Sequence, residues 1–289
     1  MTFTIPICHN APSGEPHVTY ASWAATGSPF SIGSSTFICP LDGLDIAVVD
    51  TTADTLSTLR WGGSSFSVVG NALSIGALEF GIFKFSSTRV ATLNVTNDEV
   101  LVYEFDGTDW TQIGNAFSLT FLGTARGCNL GDNLCAIHDN SAGFAKYSFD
   151  GTDISKVGNT FADTADFGSL APLTGDRVGL FNSGSDEIET IDFGGTNWTQ
   201  TGNSFAISPA VGGNYGVEAM SLDQMLYFNS NTQMQTLIFD GTDWAKEGAA
   251  NSLTGLGSFP RSIARMTQTL IAYNSFSDGN VRAAVATLS

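Results

Sequence analysis

The chain is poor in basic residues. Lys and Arg number 11 against 28 Asp and Glu, a net charge of −17. Such a surface repels phosphate backbones, which argues against a nucleic-acid partner. It equally disfavours anionic membrane surfaces. Histidine is scarce, with only His9, His17 and His138, and no Ser-His-Asp or Cys-His set can be assembled. The expectation is therefore a protein that is not an enzyme. Four cysteines in 289 residues do not make a disulfide framework. No Cys-x-x-Cys or His-rich spacing is present, so no metal or cofactor is expected. No run approaches the roughly 18 apolar residues of a membrane span. Residues 1–12 have neither a basic region nor a long apolar core, so no secretory signal is expected.

Charged residues make up only 13% of the chain, so its polar surface must come mainly from Ser, Thr, Asn and Gly. That profile is common in extracellular and virion β-proteins, and either destination is the expectation here.

What the chain does have is a repeated phrase. Phe105-Asp106-Gly107-Thr108-Asp109-Trp110 is followed by Gly114-Asn115 and Phe117. Copies begin at Phe149, at Phe193 (with Gly194 in the Asp place) and at Phe239. A degenerate copy runs from Trp61 to Gly70-Asn71, with Phe66 in the Trp place. At the N-terminus only the second half survives, as Trp23, Gly27 and Phe30. The glycine four residues after the Trp place serves as an anchor: Gly27, Gly70, Gly114, Gly158, Gly202 and Gly248. The spacings are 43, 44, 44, 44 and 46.

Each period reads as four short strands. In the third full repeat these are 125–130, 134–139, 144–149 and 153–157, with 158–165 as a connection. Glycine beside Asp supplies the positive φ that tight turns need. Second strands such as Ile46-Ala47-Val48-Val49 and Leu134-Cys135-Ala136-Ile137 are unbroken apolar runs. Unbroken runs mean burial on both faces, as in a sheet packed between two similar sheets. Four strands per 44 residues, stacked radially, is a β-propeller, and six periods predict six blades. A sandwich or jelly roll has no reason for a regular period.

The two ends complement each other. Residues 281–288 begin a repeat that lacks its Trp half, and residues 20–26 supply that half. The reading is an all-β, six-bladed propeller closed by an N-terminal outer strand that completes the C-terminal blade. Residues 19–289 would form the single propeller domain. Residues 1–18, with Pro6, Pro12 and Pro16, would be an arm, either a strap over the ring or a dock for a neighbouring copy.

Three sets of residues are candidates for function. A two-residue turn at Gly131-Asp132 would place Cys128 opposite Cys135, within disulfide range, or leave two buried thiols. Asp106, Asp109, Asp150, Asp153, Asp240 and Asp243 flank equivalent turns on one face, joined by Asp42, Asp132 and Asp176. They either fix those turns through side-chain to backbone bonds or hold Ca²⁺ weakly, and no EF-hand-type loop is present. Trp23, Trp110, Trp198 and Trp244 occupy one repeated place. They either pack between blades, where Phe66 and Ile154 serve as well, or stack sugars. The connections 114–124 and 202–213, where repeats disagree, are candidate recognition loops.

The copies resemble the Phe-Asp-Gly-Thr-x-Trp repeats of virion and surface proteins of phages and marine bacteria. The resemblance covers roughly residues 19–289. It implies a particle-surface or tail-associated attachment module, with other virion proteins or a host surface glycan as partner. It transfers no catalytic residue. A secreted or surface lectin with several equivalent sugar sites is the other class of function that fits.

Overall fold

The computed structural model describes residues 18, 20–33, 36–76, 81–94, 96–119, 125–131, 133–139, 143–162, 167–182, 184–207, 217–230, 233–252, 260–275 and 279–288. Among these there is no helix, and the strands form six antiparallel sheets. Strand β1 (Tyr20–Ser31) comes first in sequence but belongs to the last blade. Blade 1 is β2 (Thr36–Pro40), β3 (Asp45–Asp50), β4 (Thr55–Trp61) and β5 (Phe66–Ser74). Blade 2 is β6 (Ile82–Lys84), β7 (Arg89–Asn94), β8 (Glu99–Phe105) and β9 (Trp110–Ser118). Blade 3 is β10 (Ala125–Gly131), β11 (Leu134–Asp139), β12 (Gly143–Phe149) and β13 (Ile154–Phe161). Blade 4 is β14 (Phe167–Thr174), β15 (Arg177–Asn182), β16 (Glu187–Phe193) and a split fourth strand, β17 (Trp198–Gln200) with β18 (Phe205–Ala206). Blade 5 is β19 (Val217–Ala219), β20 (Gln224–Ser230), β21 (Gln233–Phe239) and β22 (Trp244–Ser252). Blade 6 is β23 (Pro260–Arg265), β24 (Leu270–Ser275) and β25 (Asn280–Leu288), completed by β1 on its outer edge. The fold is the six-bladed propeller that the period implies, closed as the two broken ends implied. The proposed arm lies outside the described residues except at Val18, whose carbonyl accepts from Gln224 Nε2 at 2.7 Å.

Each blade is apolar on both faces because it has a blade on either side. Ile46, Ala47 and Val49 of β3 are fully buried, as are Cys135 and Ala136 of β11 and Met225 and Leu226 of β20. The core is a series of wedges between neighbouring sheets. One joins Val49 and Leu56 of blade 1 to Phe105 and Trp110 of blade 2. The next joins Phe85 and Val102 of blade 2 to Phe149 and Ile154 of blade 3.

The repeated phrase fastens these wedges at the rim. In each blade that carries it, the phrase forms the turn between the third and fourth strands. Phe105 pairs with Trp110, and four residues span the turn between them. Asp106 Oδ1 accepts the Thr108 and Asp109 backbone N–H groups, each at 2.8 Å. Asp150 and Asp240 do the same in their turns. The six anchor glycines all have positive φ, between 66° and 72°. At Gly70 a β-carbon would sit 1.8 Å from the Thr108 carbonyl oxygen of the next blade. The residue after the glycine uses that close approach. Asn71 N–H donates to Thr108 O at 2.9 Å, and its Nδ2 donates to Asp109 Oδ1 at 2.7 Å. Asn115 holds Thr152 and Asp153 in the same way, Asn159 holds Thr196 and Asn197, and Asn203 holds Thr242 and Asp243. Ser28 in β1 donates to Ser64 O and carries the pattern across to blade 1. Each Gly-Asn therefore latches onto the Thr-Asp or Thr-Asn turn of the following blade. The junction of blades 5 and 6 differs, because the outer strand of blade 6 arrives from the other end of the chain. There Gly248 faces Tyr20 O instead of a turn.

Two sequence expectations need correction. The fourth strand does not end before the anchor glycine. In blade 3 it runs from Ile154 to Phe161, through a register shift opposite Phe144 and Lys146. The glycine is a bulge within the strand, since positive φ can bend a ladder without ending it. The second correction concerns the cysteines. Cys128 pairs with Ala136 and Asn129 with Cys135, so the expected pairing is off by one. A register shift between Asn129 and Gly131, with positive φ at Gly131 and Asn133, replaces the two-residue turn. A one-residue offset turns a side chain to the other face of a sheet. Cys135 packs toward blade 2 and Cys128 toward blade 4, and both are free thiols.

Candidate functional site in the central channel

The innermost strands β2, β6, β10, β14, β19 and β23 surround the propeller axis. Between them lies a cavity of about 150 Å³ lined by residues from all six blades. Its apolar wall includes Phe37, Ile82 and Leu170. Its polar groups include Lys84, Arg126, Asn129, Ser169, Glu218 and Ser262.

Several of these groups also tie blades together. Lys84 Nζ donates to Leu41 O of blade 1 at 2.9 Å. Asn129 Nδ2 donates to Phe85 O of blade 2 at 2.6 Å and also to Gly131 O, while its Oδ1 accepts from Gly131 N. Ser169 Oγ accepts from Val217 N, and Ser262 Oγ accepts from Ile38 N. Glu218 is buried at 6% exposure, and one of its oxygens accepts the backbone N–H of Arg265 at 3.3 Å. Arg126 is half-buried, with its Nη1 donating to Ala125 O. Gly127 beside it is where the Phe83 ring lies close; a β-carbon there would meet that ring at 2.3 Å. Cys39 and Cys128 also line the cavity, and burial pushes both thiols well above their ordinary value. Without a thiolate neither sulfur is a useful nucleophile.

The four candidate tryptophans lie elsewhere. Trp23, Trp110, Trp198 and Trp244 are only 4 to 5% exposed. Trp110 donates its Nε1 proton to Thr58 Oγ1 of the preceding blade, and Trp244 to Thr190 Oγ1 of its own preceding blade. Trp198 meets Phe144 of blade 3 edge-on. A sugar would have to displace a neighbouring blade to reach these rings. They are packing residues, and the stacking expectation is replaced by the packing one. The acidic turns are likewise occupied with their own backbone, and Asp176 pairs with Lys146 Nζ at 2.7 Å. Asp132 and the candidate loop residues 120–124 and 208–213 lie outside the described residues. His138 is buried at the end of β11.

The channel residues do leave a trace in the sequence. Aligning the ends of the first strands gives Cys39-Pro40-Leu41, Phe83-Lys84-Phe85, Cys128-Asn129-Leu130, Ala171-Pro172-Leu173, Glu218-Ala219-Met220 and Ala264-Arg265-Met266. The last place is always large and apolar. The two before it change in size and charge from blade to blade.

No protein-family model and no curated protein sequence matches the chain. Solved structures do match in fold. A virginiamycin B lyase from Staphylococcus aureus superposes with a TM-score of 0.59 at 10% identity, covering 89% of this chain and 98% of that one. Aleuria aurantia lectin in complex with Fucalpha1-6GlcNAc also gives 0.59 at 10% identity, covering 90% and 96%. YCF48 bound to D1 peptide gives 0.55 at 12% identity, covering 94% and 99%. At such identities the likeness establishes the propeller fold. Since lyase, lectin and peptide binder share it, the fold selects no activity.

Proposed function

We propose that this protein is a recognition module, not a catalyst, and that it binds its ligand at the mouth of the central channel. The observation that carries this reading is the division of labour among the polar residues. The repeated ones are spent on turns and latches, and the cavity is where residues that differ between blades converge. A lectin and a peptide-binding protein with the same fold show that such rings serve as platforms. The resemblance of the repeats to those of phage and marine surface proteins is the ground for proposing a particle or cell surface as its location, with a glycan or a companion structural protein as partner. One channel site replaces the several equivalent aromatic sites of a repeat lectin.

The test is a glycan array together with co-sedimentation on purified particles. Binding that falls when Arg126→Ala is introduced, with the melting temperature held, supports the reading. Absence of any binding, combined with turnover of a substrate that the same variant abolishes, overturns it.

A further inference from the structure

Five turns between third and fourth strands share one backbone geometry: 61–66, 105–110, 149–154, 193–198 and 239–244. In each, the second residue donates its N–H to the carbonyl of the fifth, at 2.8 to 3.1 Å. In each, the third residue is a glycine with φ between 87° and 104°. In blades 2, 3 and 5 the N–H groups of the fourth and fifth residues converge on one carboxylate oxygen. That oxygen is Oδ1 of Asp106, Asp150 or Asp240, and all six bonds are 2.8 Å. Successive N–H groups aimed at one point make a small anion-binding concavity.

Blades 1 and 4 have Gly62 and Gly194 in the aspartate place. The backbone N–H groups of Ser64, Ser65, Thr196 and Asn197 therefore have no acceptor among the described residues, and all four residues are exposed. Backbone strain does not explain these two glycines. Neither has positive φ, and a β-carbon on either would meet nothing nearer than 3.5 Å. An aspartate would fit both places as it fits the other three. Charge differs as well. The turns of blades 2, 3 and 5 each carry two aspartates, whereas residues 62–65 and 194–197 carry no charge. On a chain of −17, an incoming anion meets no charge of its own sign in these two turns. The blades follow one another around the ring in chain order, so blades 1 and 4 stand opposite each other with both turns at the same end.

We infer that the turns of blades 1 and 4 are a pair of docking points for carboxylates of a partner protein, whose Asp or Glu side chains take the place of the missing aspartate. This rim site is separate from the channel reading and does not depend on it. One carboxylate oxygen accepts from Ser64 and Ser65 N–H in blade 1, and another from Thr196 and Asn197 N–H in blade 4. Bonds from N–H groups to an ionised acceptor are stronger than those to a neutral one, which favours an acid over an amide. A doubly charged phosphate gains the same bonds but meets more repulsion from the acidic chain. Each contact is exposed and weak by itself, and two fixed points on one face let a single partner engage both.

Nuclear magnetic resonance of the 15N-labelled full chain tests this. The probe is the peptide acetyl-Gly-Asp-Gly-amide, with its Asn counterpart and inorganic phosphate at equal ionic strength beside it. The Asp peptide gives saturable shifts at the Ser64, Ser65, Thr196 and Asn197 amides and none at Thr108, Asp109, Thr152 or Asp153. The Asn peptide and phosphate bind at least about fivefold more weakly. Gly194→Asp abolishes the response at Thr196 and Asn197 and leaves that at Ser64 and Ser65. Asp106→Gly creates a new response at Thr108 and Asp109, a gain that a damaged fold would not produce. No saturable response at the four amides up to on the order of 100 mM peptide overturns the inference. So does an equal response at the turns that hold their own aspartate, an unchanged response in Gly194→Asp, or equal or tighter binding of the Asn peptide or phosphate.

Discussion

The outer rim and the inner channel are built from the same six repeats and obey different rules. At the rim, most equivalent places hold the same residues and make the same bonds: glycine at positive φ, Asn onto a Thr carbonyl, Asp folded back on its own turn. On the innermost strands, equivalent places hold Pro40, Lys84, Asn129, Pro172, Ala219 and Arg265, the first four of which line the channel cavity. Closing a ring poses one mechanical problem at each junction, and one solution recurs at all of them but that of blades 5 and 6. On the proposed function a ligand in the channel would break that symmetry, so the residues facing it need not repeat. The contrast teaches that in a repeat protein the most visible motif is the least informative about what is bound.

The largest effect expected from breaking this contrast is at an anchor glycine. Gly70→Ala places a β-carbon 1.8 Å from Thr108 O and forces alanine to a φ of 68°. The left-handed conformation alone costs about 1–2 kcal/mol, and displacing the latched turn brings the loss to roughly 3 kcal/mol or more. Gly248→Ala, at the junction without a turn, meets Tyr20 O at 3.2 Å. It should lose only about 1–2 kcal/mol. Chemical denaturation of the two variants checks the order. Equal losses would mean that the latch adds nothing to the backbone strain.

The next effect separates tryptophans that look alike in sequence. Trp110→Phe leaves the buried Thr58 hydroxyl without its donor and should cost about 1–2 kcal/mol beyond the lost contact area. Trp198→Phe removes an Nε1–H that has no partner among the described residues, so its cost is that of the area alone. A stability difference of less than about 0.5 kcal/mol between them would remove the hydrogen bond from the account.

How far the sequence reaches follows the same divide. The period, the blade count and the borrowed outer strand are legible because they rest on counting identical places. The fourth strand is misread at Gly158, because a bulge and a loop both use glycine at positive φ, and only the partner strand tells them apart. The cysteine pairing fails by one residue, because register depends on the bulge at Gly131, which no local pattern announces. The tryptophans are ambiguous, since an aromatic residue suits both an interface and a sugar. Lys84, Arg126 and Glu218 are visible as letters, but nothing local brings them together; closure of the ring does that.

A smaller effect is expected from the latch side chains themselves. Asn115→Ala removes an exposed bond to Asp153 and keeps the backbone bond to Thr152. The loss should be about 0.5–1 kcal/mol. A double-mutant cycle with Asp153→Ala isolates the pair, and a coupling energy near zero would reduce the latch to its backbone half.

The smallest effect is a pH dependence that belongs to the rim alone. Backbone hydrogen bonds from the turn hold the Asp106, Asp150 and Asp240 carboxyls below their ordinary value. A lowered folded-state value means that the unfolded chain takes up protons first as pH falls. The stabilisation is then complete above the ordinary carboxylate range, near pH 4, and is lost as pH drops through the lower folded values. Blade 4 has Gly194 in this place and lacks the effect. Replacing all three aspartates with asparagine keeps an oxygen to accept the same bonds but removes the titration. Melting curves from pH 7 down to pH 2.5 should fall less steeply below pH 4 for the triple variant than for the wild type. Parallel curves would assign the acid sensitivity to other groups, such as Asp192, whose carboxyl is held low against its burial by Arg177 and Thr201.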